Sequence, residues 1–496
     1  MDRVGVFSFL LLMALLSSGP KAFAQGKDAN ADGPVLRPPV QLSPLSLTAE
    51  KTQDLGLDFQ KFIDRVDRNY PKLIGAVAEK KIASAKRLEK TGAFDPVLTS
   101  VNEFLRVQDT FEPGKAKNAV HNESRIDLLT RSGIKVFTGM RLNPNDTKTP
   151  FVPSGKAGEY FGGVAVPLAR GLMINEKAAM EKQAKLGEPL AEQLFGLTRL
   201  EVLLKAAASY YECMGARARL AVANDLLSLA VARTEQIKER VVSGDSPALE
   251  IKEAEQEIQR RQSIFVKAQR EFQKAAYSLS VFLWSDAGTP GGVPRLEEVP
   301  ALSPEPILLS DEIWKRGRQE ALDKRPELKR IEIERKQVQI ELKLAKNMIL
   351  PAIDAYVSQG ADTGPQGIGY VIRGGVAVSA PLRQRTARGQ AQAAGLKLEK
   401  LDQEEKAERL RIQTEVDDTV SAINTSYERY VANLEEVRKA RDVEEGERMR
   451  YAAGDGTLFL VNQRERATAE ARMRLAEVHT EYLQAMAAFR AVTCRL

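Results

Sequence analysis

The two halves of this chain repeat one another. Gly162-Gly163-Val164-Ala165-Val166 recurs as Gly374-Gly375-Val376-Ala377-Val378, 212 residues on, and Arg240-x-x-x-Gly244-Asp245 recurs as Arg450-x-x-x-Gly454-Asp455, 210 residues on. Upstream, Pro71-Lys72-Leu73 pairs with Pro326-Glu327-Leu328, and Pro96 with Pro351, both 255 residues apart. The wider upstream spacing leaves the first copy with about 43 extra residues between Phe111 and Tyr160. Ordered matches at near-constant offsets read as one structural unit written twice, not as a string of independent domains.

Each copy has the same plan. The first repeat, 49–284, holds short helices, a strand pair at 94–168 and a long helical hairpin at 174–284. A Pro-rich connector with an equatorial helix, 285–325, leads to the second repeat, 326–492. That repeat has a short helix, a strand pair at 351–382 and a hairpin at 386–492. The return helices carry seams at alternating spacings of three and four. The first is Ile251, Ala254, Ile258, Arg261, Phe265, Ala268, Phe272, Ala275 and Leu279; the second is Val461, Arg464, Thr468, Ala471, Leu475, Val478, Tyr482, Ala485 and Phe489. Such a narrow, Ala-rich stripe packs helices closely and leaves their other faces to water. It suits a tube of helices or a plain coiled-coil hairpin. At 1.5 Å per residue the ascending helices run about 100 Å, and a return helix stacked on a short helix about 87 Å, so four columns of similar height form from one chain.

The N-terminus sets the compartment. Arg3, the apolar run Val4 to Leu16 and Ala22-Phe23-Ala24 form a secretory signal peptide over 1–24, followed by a flexible polar lead over 25–48. No later stretch is long and apolar enough for a membrane helix, in keeping with a mean hydropathy of -0.31. A membrane crossing is left to β-strands alone.

Composition narrows the chemistry. The 73 basic and 67 acidic residues nearly balance, which is no footprint of a nucleic-acid binder. Two Cys, Cys213 and Cys494, are too few for a disulfide scaffold or cysteine zinc site, and two His, His121 and His479, read as a loop residue and an exposed helical residue. No phosphate-binding loop, zinc motif or nucleophile elbow occurs, so neither enzyme activity, cofactor nor metal is expected.

The strands decide the assembly. Two pairs give four strands per chain, and a membrane barrel needs about eight or more to close. Three chains supply twelve. Tyr370, Ile372, Val376 and Val378 share one parity, as a lipid face requires. The extra segment 112–157 reads either as a long surface hairpin or as two further strands.

Taken together, the signal peptide, the duplicated half, the strand pairs ending in Pro-Leu and the helices turning at Arg-x-x-x-Gly resemble the TolC-type outer-membrane efflux proteins, over about residues 50–492. The resemblance implies a mainly α fold with a small β part: a homotrimeric α-barrel of coiled-coil hairpins, continued by a 12-stranded transmembrane β-barrel. It implies a passive exit duct of an efflux or type I secretion system, set in the outer-membrane lipid and reaching through the periplasm. Its partners are then a periplasmic adaptor (membrane fusion protein) and an inner-membrane pump. The implied adaptor-docking tips are Arg240, Gly244, Asp245, Arg450, Tyr451, Gly454 and Asp455, with Val241 in place of the family's Tyr in the first copy. The family's acidic entrance falls here on Leu460 and Gln463, and the first copy carries Glu250 and Glu253 at the equivalent places. The competing reading is a periplasmic coiled-coil spacer or adaptor without a channel.

Overall fold

The computed structural model describes residues 57–108, 114, 116–143, 154–364 and 367–496. The expected signal peptide, 1–24, and polar lead, 25–48, lie outside the described residues. Helices α1 (Phe59–Asn69) and α2 (Pro71–Thr91) come first, then strands β1 (Val97–Gln108), β2 (Ala116–Leu129), β3 (Lys135–Leu142) and β4 (Glu159–Pro167). The hairpin α3 (Glu176–Val242) and α4 (Leu249–Ser280) follows. After it come α5 (Asp311–Lys324), α6 (Pro326–Met348), β5 (Ala352–Gly364), β6 (Gly367–Ser379) and a second hairpin, α7 (Arg385–Ala452) and α8 (Leu458–Val492).

Helix α3 runs 67 residues because its start is capped and its seam is small. Asn175 accepts from the Ala178 amide, and the buried face carries Ala206, Ala207, Ala216 and Ala223. Along its length α3 packs first on α2 and then on α4 on one side, and on α6 and then α8 on the other. Helix α7 packs on α6 and α8 in turn. The four columns are therefore α2 with α4, α3, α6 with α8, and α7. Helix α4 buries Ala254, Arg261, Ala268, Phe272, Ala275 and Leu279 of the seam. Helix α8 buries Val461, Thr468, Ala471, Val478, Tyr482 and Phe489. Arg464 departs from the expected seam: it stays exposed while its neighbour Glu465 turns inward. Turned inward, Glu465 meets three arginines.

The main core is a belt where α4 hands over to α2 and α8 to α6. Phe59 and Phe62 of α1 stack on Tyr211 and Tyr210, with centroids 5.0 and 5.3 Å apart. The Tyr210 hydroxyl donates to the Leu57 carbonyl. The connector is strapped on by Tyr482, whose hydroxyl donates to the Ile307 carbonyl at 3.0 Å and accepts its amide at 3.1 Å. Trp314 of α5 donates to Asp417 of α7 at 2.9 Å. His479 belongs to this belt rather than to an exposed face: it is buried, 2.8 Å from the Pro304 carbonyl, with Tyr430 edge-on. Burial lowers its pKa.

The strands form one antiparallel sheet in the order β1-β2-β3-β4-β5-β6. The expected four strands per chain are corrected to six among the described residues. The extra segment supplies β2 and β3, which insert between β1 and β4. His121 accordingly lies buried on β2, not in a loop.

Candidate functional site

Pairing register divides the sheet into two faces, because opposed residues share a side and neighbours alternate. One face carries Phe104, Ile126, Met140, Tyr160, Val357 and Ile372, among others. It is uncovered: Ile368 and Tyr370 are each 78% exposed, and Ile372 is 67% exposed. Apolar side chains aligned on six neighbouring strands make a patch that water does not favour. Most of these strands are long enough to cross a hydrocarbon layer, which takes about 9–11 tilted residues. Among the described residues no helix is long and apolar enough to do so.

The opposite face is polar. Glu159 of β4, 1% exposed, is clasped from both sides. Arg373 of β6 donates to its two oxygens at 2.8 and 3.0 Å, and Arg141 of β3 lies 3.2 Å away. Arg141 also covers the Phe161 ring at 4.5 Å. Arg125, 2.9 Å from Asp127, continues the charged surface on β2. Gly139 sits where side chains crowd inward: a Cβ there would meet the Arg125 Cα at 2.9 Å and the Phe161 ring at 3.1 Å. Crowding on the polar face fits a sheet that curls around it.

At the far ends of the long helices the two hairpins turn identically. Gly244 has φ +81° and Gly454 φ +82°. The Asp245 amide donates to the Arg240 carbonyl at 2.8 Å, and the Asp455 amide to the Arg450 carbonyl at 2.9 Å. Gly244 and Gly454 donate in turn to Val241 and Tyr451 at 3.2 and 3.1 Å. This paired bonding is the Schellman closure, which needs a left-handed residue after the cap. A Cβ on either glycine would meet no other atom, so the open backbone is available to a partner.

The tips also touch each other. The Arg240 guanidinium lies 5.3 Å over the Tyr451 ring, and the Tyr451 hydroxyl donates to Glu250 at 3.1 Å. Burial first, then the Glu250 charge, raise the Tyr451 pKa. Arg450 stays exposed and donates to the Asp455 carbonyl at 3.2 Å. Of the candidate entrance residues, Glu250 is thus engaged and half-buried, Glu253 and Gln463 are exposed, and Leu460 is half-buried. Sequence reasoning passed over the exposed apolar residues beside the turns: Val242, Leu249, Met449 and Phe459.

It also passed over a buried charge cluster one to three turns in from the tips. Arg261 of α4, wholly buried, donates to Glu257 at 2.9 Å, Asn462 at 3.1 Å and Glu465 at 2.9 Å. Arg233 of α3 donates to both oxygens of Glu465, and Arg448 of α7 to one at 2.9 Å. One carboxylate therefore ties α3, α4 and α7 to α8. Burial alone would raise the Glu465 pKa, but the hydrogen bonds and charges of Arg233 and Arg261 prevail and lower it. The available signal was Arg261 at a seam position that otherwise takes apolar residues. Among the described residues no group of His, Cys, Asp and Glu could hold a metal.

Residues 317–494 match the family model described as "Outer membrane efflux protein". No curated protein matches the sequence. Among solved structures, the CmeC outer membrane channel of Campylobacter jejuni superposes with a TM-score of 0.63 at 11% identity, covering 89% of this chain and 85% of that one. The outer membrane protein VceC of Vibrio cholerae gives 0.61 at 13%, covering 88% and 95%. The open state of the Neisseria gonorrhoeae MtrE outer membrane channel gives 0.60 at 14%, covering 89% of each. At such identities the likeness establishes the fold.

Proposed function

We propose that this protein is an outer-membrane exit duct: residues 317–494 match the outer membrane efflux protein family model, and the chain has the fold of solved outer-membrane channels. The observation that carries the reading is the two-faced sheet, apolar and uncovered on one side, charged on the other. A bilayer accepts the first face, and a water-filled lumen accepts the second. Neither free edge can stay open in hydrocarbon, so the sheet closes with further copies. Three copies place twelve helical columns in the periplasm below the barrel. Conduction is passive: energy and choice of cargo come from an inner-membrane pump reached through a periplasmic adaptor. A periplasmic coiled-coil spacer, the competing reading, leaves the apolar face of the sheet unaccounted for. Sucrose-gradient fractionation and cross-linking test the proposal. Trimers in outer-membrane fractions are expected, and a soluble periplasmic monomer would overturn it.

The tips dock the adaptor through Arg240, Gly244 and Asp245 and through Arg450, Tyr451, Gly454 and Asp455. The exposed glycines and the apolar fringe of Val242 and Phe459 support this assignment. Glu250, Glu253, Leu460 and Gln463 border the entrance, with Glu253 and Gln463 turned to water. The variant pair Gly244→Val and Gly454→Val should cost about 1–2 kcal/mol at each turn through the positive φ. It should impair export while cross-linked trimers persist. Undiminished export with both substitutions would remove the docking role.

A further inference from the structure

Six strands per chain change the size of the barrel, given the trimer proposed above. Hairpin β2–β3 is built into the wall and does not lie over it. Strand β2 pairs with β1 from Val97↔Asp127 to Gln108↔Ala116, and with β3 from Asn122↔Leu142 to Leu129↔Lys135; β3 then pairs with β4 from Lys135↔Ala165 to Arg141↔Glu159. The two-faced pattern continues through the hairpin, interrupted on the apolar side by Asn118, Asn122 and Ser124. Val120, Ile126, Leu128, Val136 and Met140 are exposed on the apolar side, while Glu123, Arg125, Asp127 and Arg141 lie on the polar side. A plug or a surface flap has no need of that alternation.

The hairpin's turn is seated on the helix ends. Arg131 makes a forked pair with Glu181 of α3, at 2.8 and 2.6 Å, and stands 5.0 Å over the Phe94 ring at the end of α2. Asn175, the cap of α3, donates to the Arg131 carbonyl at 3.0 Å. The paired charge lowers the Glu181 pKa, through the Arg131 hydrogen bond first, and raises that of Arg131. The hairpin thus fills the width between the column that ends in β1 and the column that begins after β4.

Strands β1 and β6 are the two edges of this sheet. Alternation over six strands leaves them antiparallel to each other. Strand β6 of one copy can therefore pair with β1 of the next while both keep their apolar faces outward, and repetition of this head-to-tail contact closes a ring. We propose that β1 and β6 are the subunit interface within the membrane and that six strands from each of three copies close an eighteen-stranded barrel. Diameter grows roughly linearly with strand number, so this barrel is about 1.5 times as wide as one of twelve, in the range where barrels hold an open aqueous channel. The outer-membrane end then admits bulkier cargo than a twelve-stranded barrel does.

Electron cryomicroscopy of the full-length assembly in lipid nanodiscs, at a resolution that separates strands, counts them directly. Eighteen strands with β6 beside a neighbour's β1 is the expected result. A trimer with twelve wall strands and β2–β3 outside the wall overturns the inference and leaves the duct reading standing; particles that are not trimers overturn that reading instead. A second measurement holds if particles resist alignment. With Cys213→Ala and Cys494→Ala as background, Ser100→Cys with Ser124→Cys, whose hydroxyls lie 3.0 Å apart across β1 and β2, should cross-link within a chain in membrane-inserted trimers. Asn102→Cys should cross-link between chains to one of Tyr370→Cys, Ile372→Cys and Gly374→Cys on β6. Cross-linking of Asn102→Cys to β4 within one chain, with no product at Ser100→Cys and Ser124→Cys, contradicts the inference.

Discussion

Glu465→Ala is expected to destabilise the helical part by about 3–5 kcal/mol, the loss seen when one partner of a buried ion pair is removed. The substitution takes the carboxylate from Arg233, which is nearly buried, and leaves Arg261, which has no access to water, with the carboxylate of Glu257 alone. It also frees α7 at Arg448. Thermal unfolding of the purified protein should show a lower Tm, and limited proteolysis should cut first near the tips. An unchanged Tm would contradict the role given to the cluster. A double variant, Glu465→Leu with Arg261→Met, should recover part of the loss, because it replaces the wholly buried guanidinium by an apolar side chain and leaves only the less buried Arg233 without its carboxylate. The sign with pH follows from the lowered Glu465 pKa. A carboxylate whose folded pKa lies below its unfolded value contributes stability above the unfolded value, near 4.5, and loses it as pH falls through the folded one. The tie is therefore at full strength at neutral pH and fails in acid below that range. Glu465→Ala should unfold with a shallower dependence on acid than the parent.

Ile372→Arg is expected to cost about 2–4 kcal/mol, the penalty for a charge on the lipid face at mid-membrane depth. Ile372 lies near the middle of β6 and is opposed by Gln359, on the face that carries Tyr370 and Val376. The control is Ala377→Arg on the same strand. Ala377 is opposed by Asp354 on the polar face, where a cation gains a partner and water. Ile372→Arg should lower the amount of trimer recovered from outer membranes several-fold, and Ala377→Arg should leave it near the parent level. Equal recovery of both variants would mean that the two faces are not lipid and lumen.

The long helices were legible because spacings of three and four persist from Ile251 to Leu279 and from Val461 to Phe489, enough to outweigh any one exception. The turns at Gly244 and Gly454 were legible because a Schellman closure needs a left-handed residue at one fixed place. Strands β2 and β3 stayed open in the sequence for a physical reason. Asn118, Asn122 and Ser124 share the face of Val120 and Ile126, so the apolar alternation breaks within β2, and only the pairing with β1 and β3 assigns its two faces. The exchange of Arg464 for Glu465 was equally hidden. Which of two adjacent charges turns inward depends on arginines contributed by three other helices, and periodicity along α8 contains nothing about them. The contact of Arg240, Tyr451 and Glu250 likewise joins residues about 200 positions apart. Of the candidate tip residues, the turn geometry could be read from spacing, and the lateral contacts could not.

Reconstitution of the purified full-length protein into planar lipid bilayers tests the conduit most directly. Stable insertion with discrete single-channel conductance steps, present with wild-type protein and absent with Ile372→Arg, is the expected result. Protein that stays soluble without detergent and leaves the bilayer electrically silent at every concentration would contradict the account.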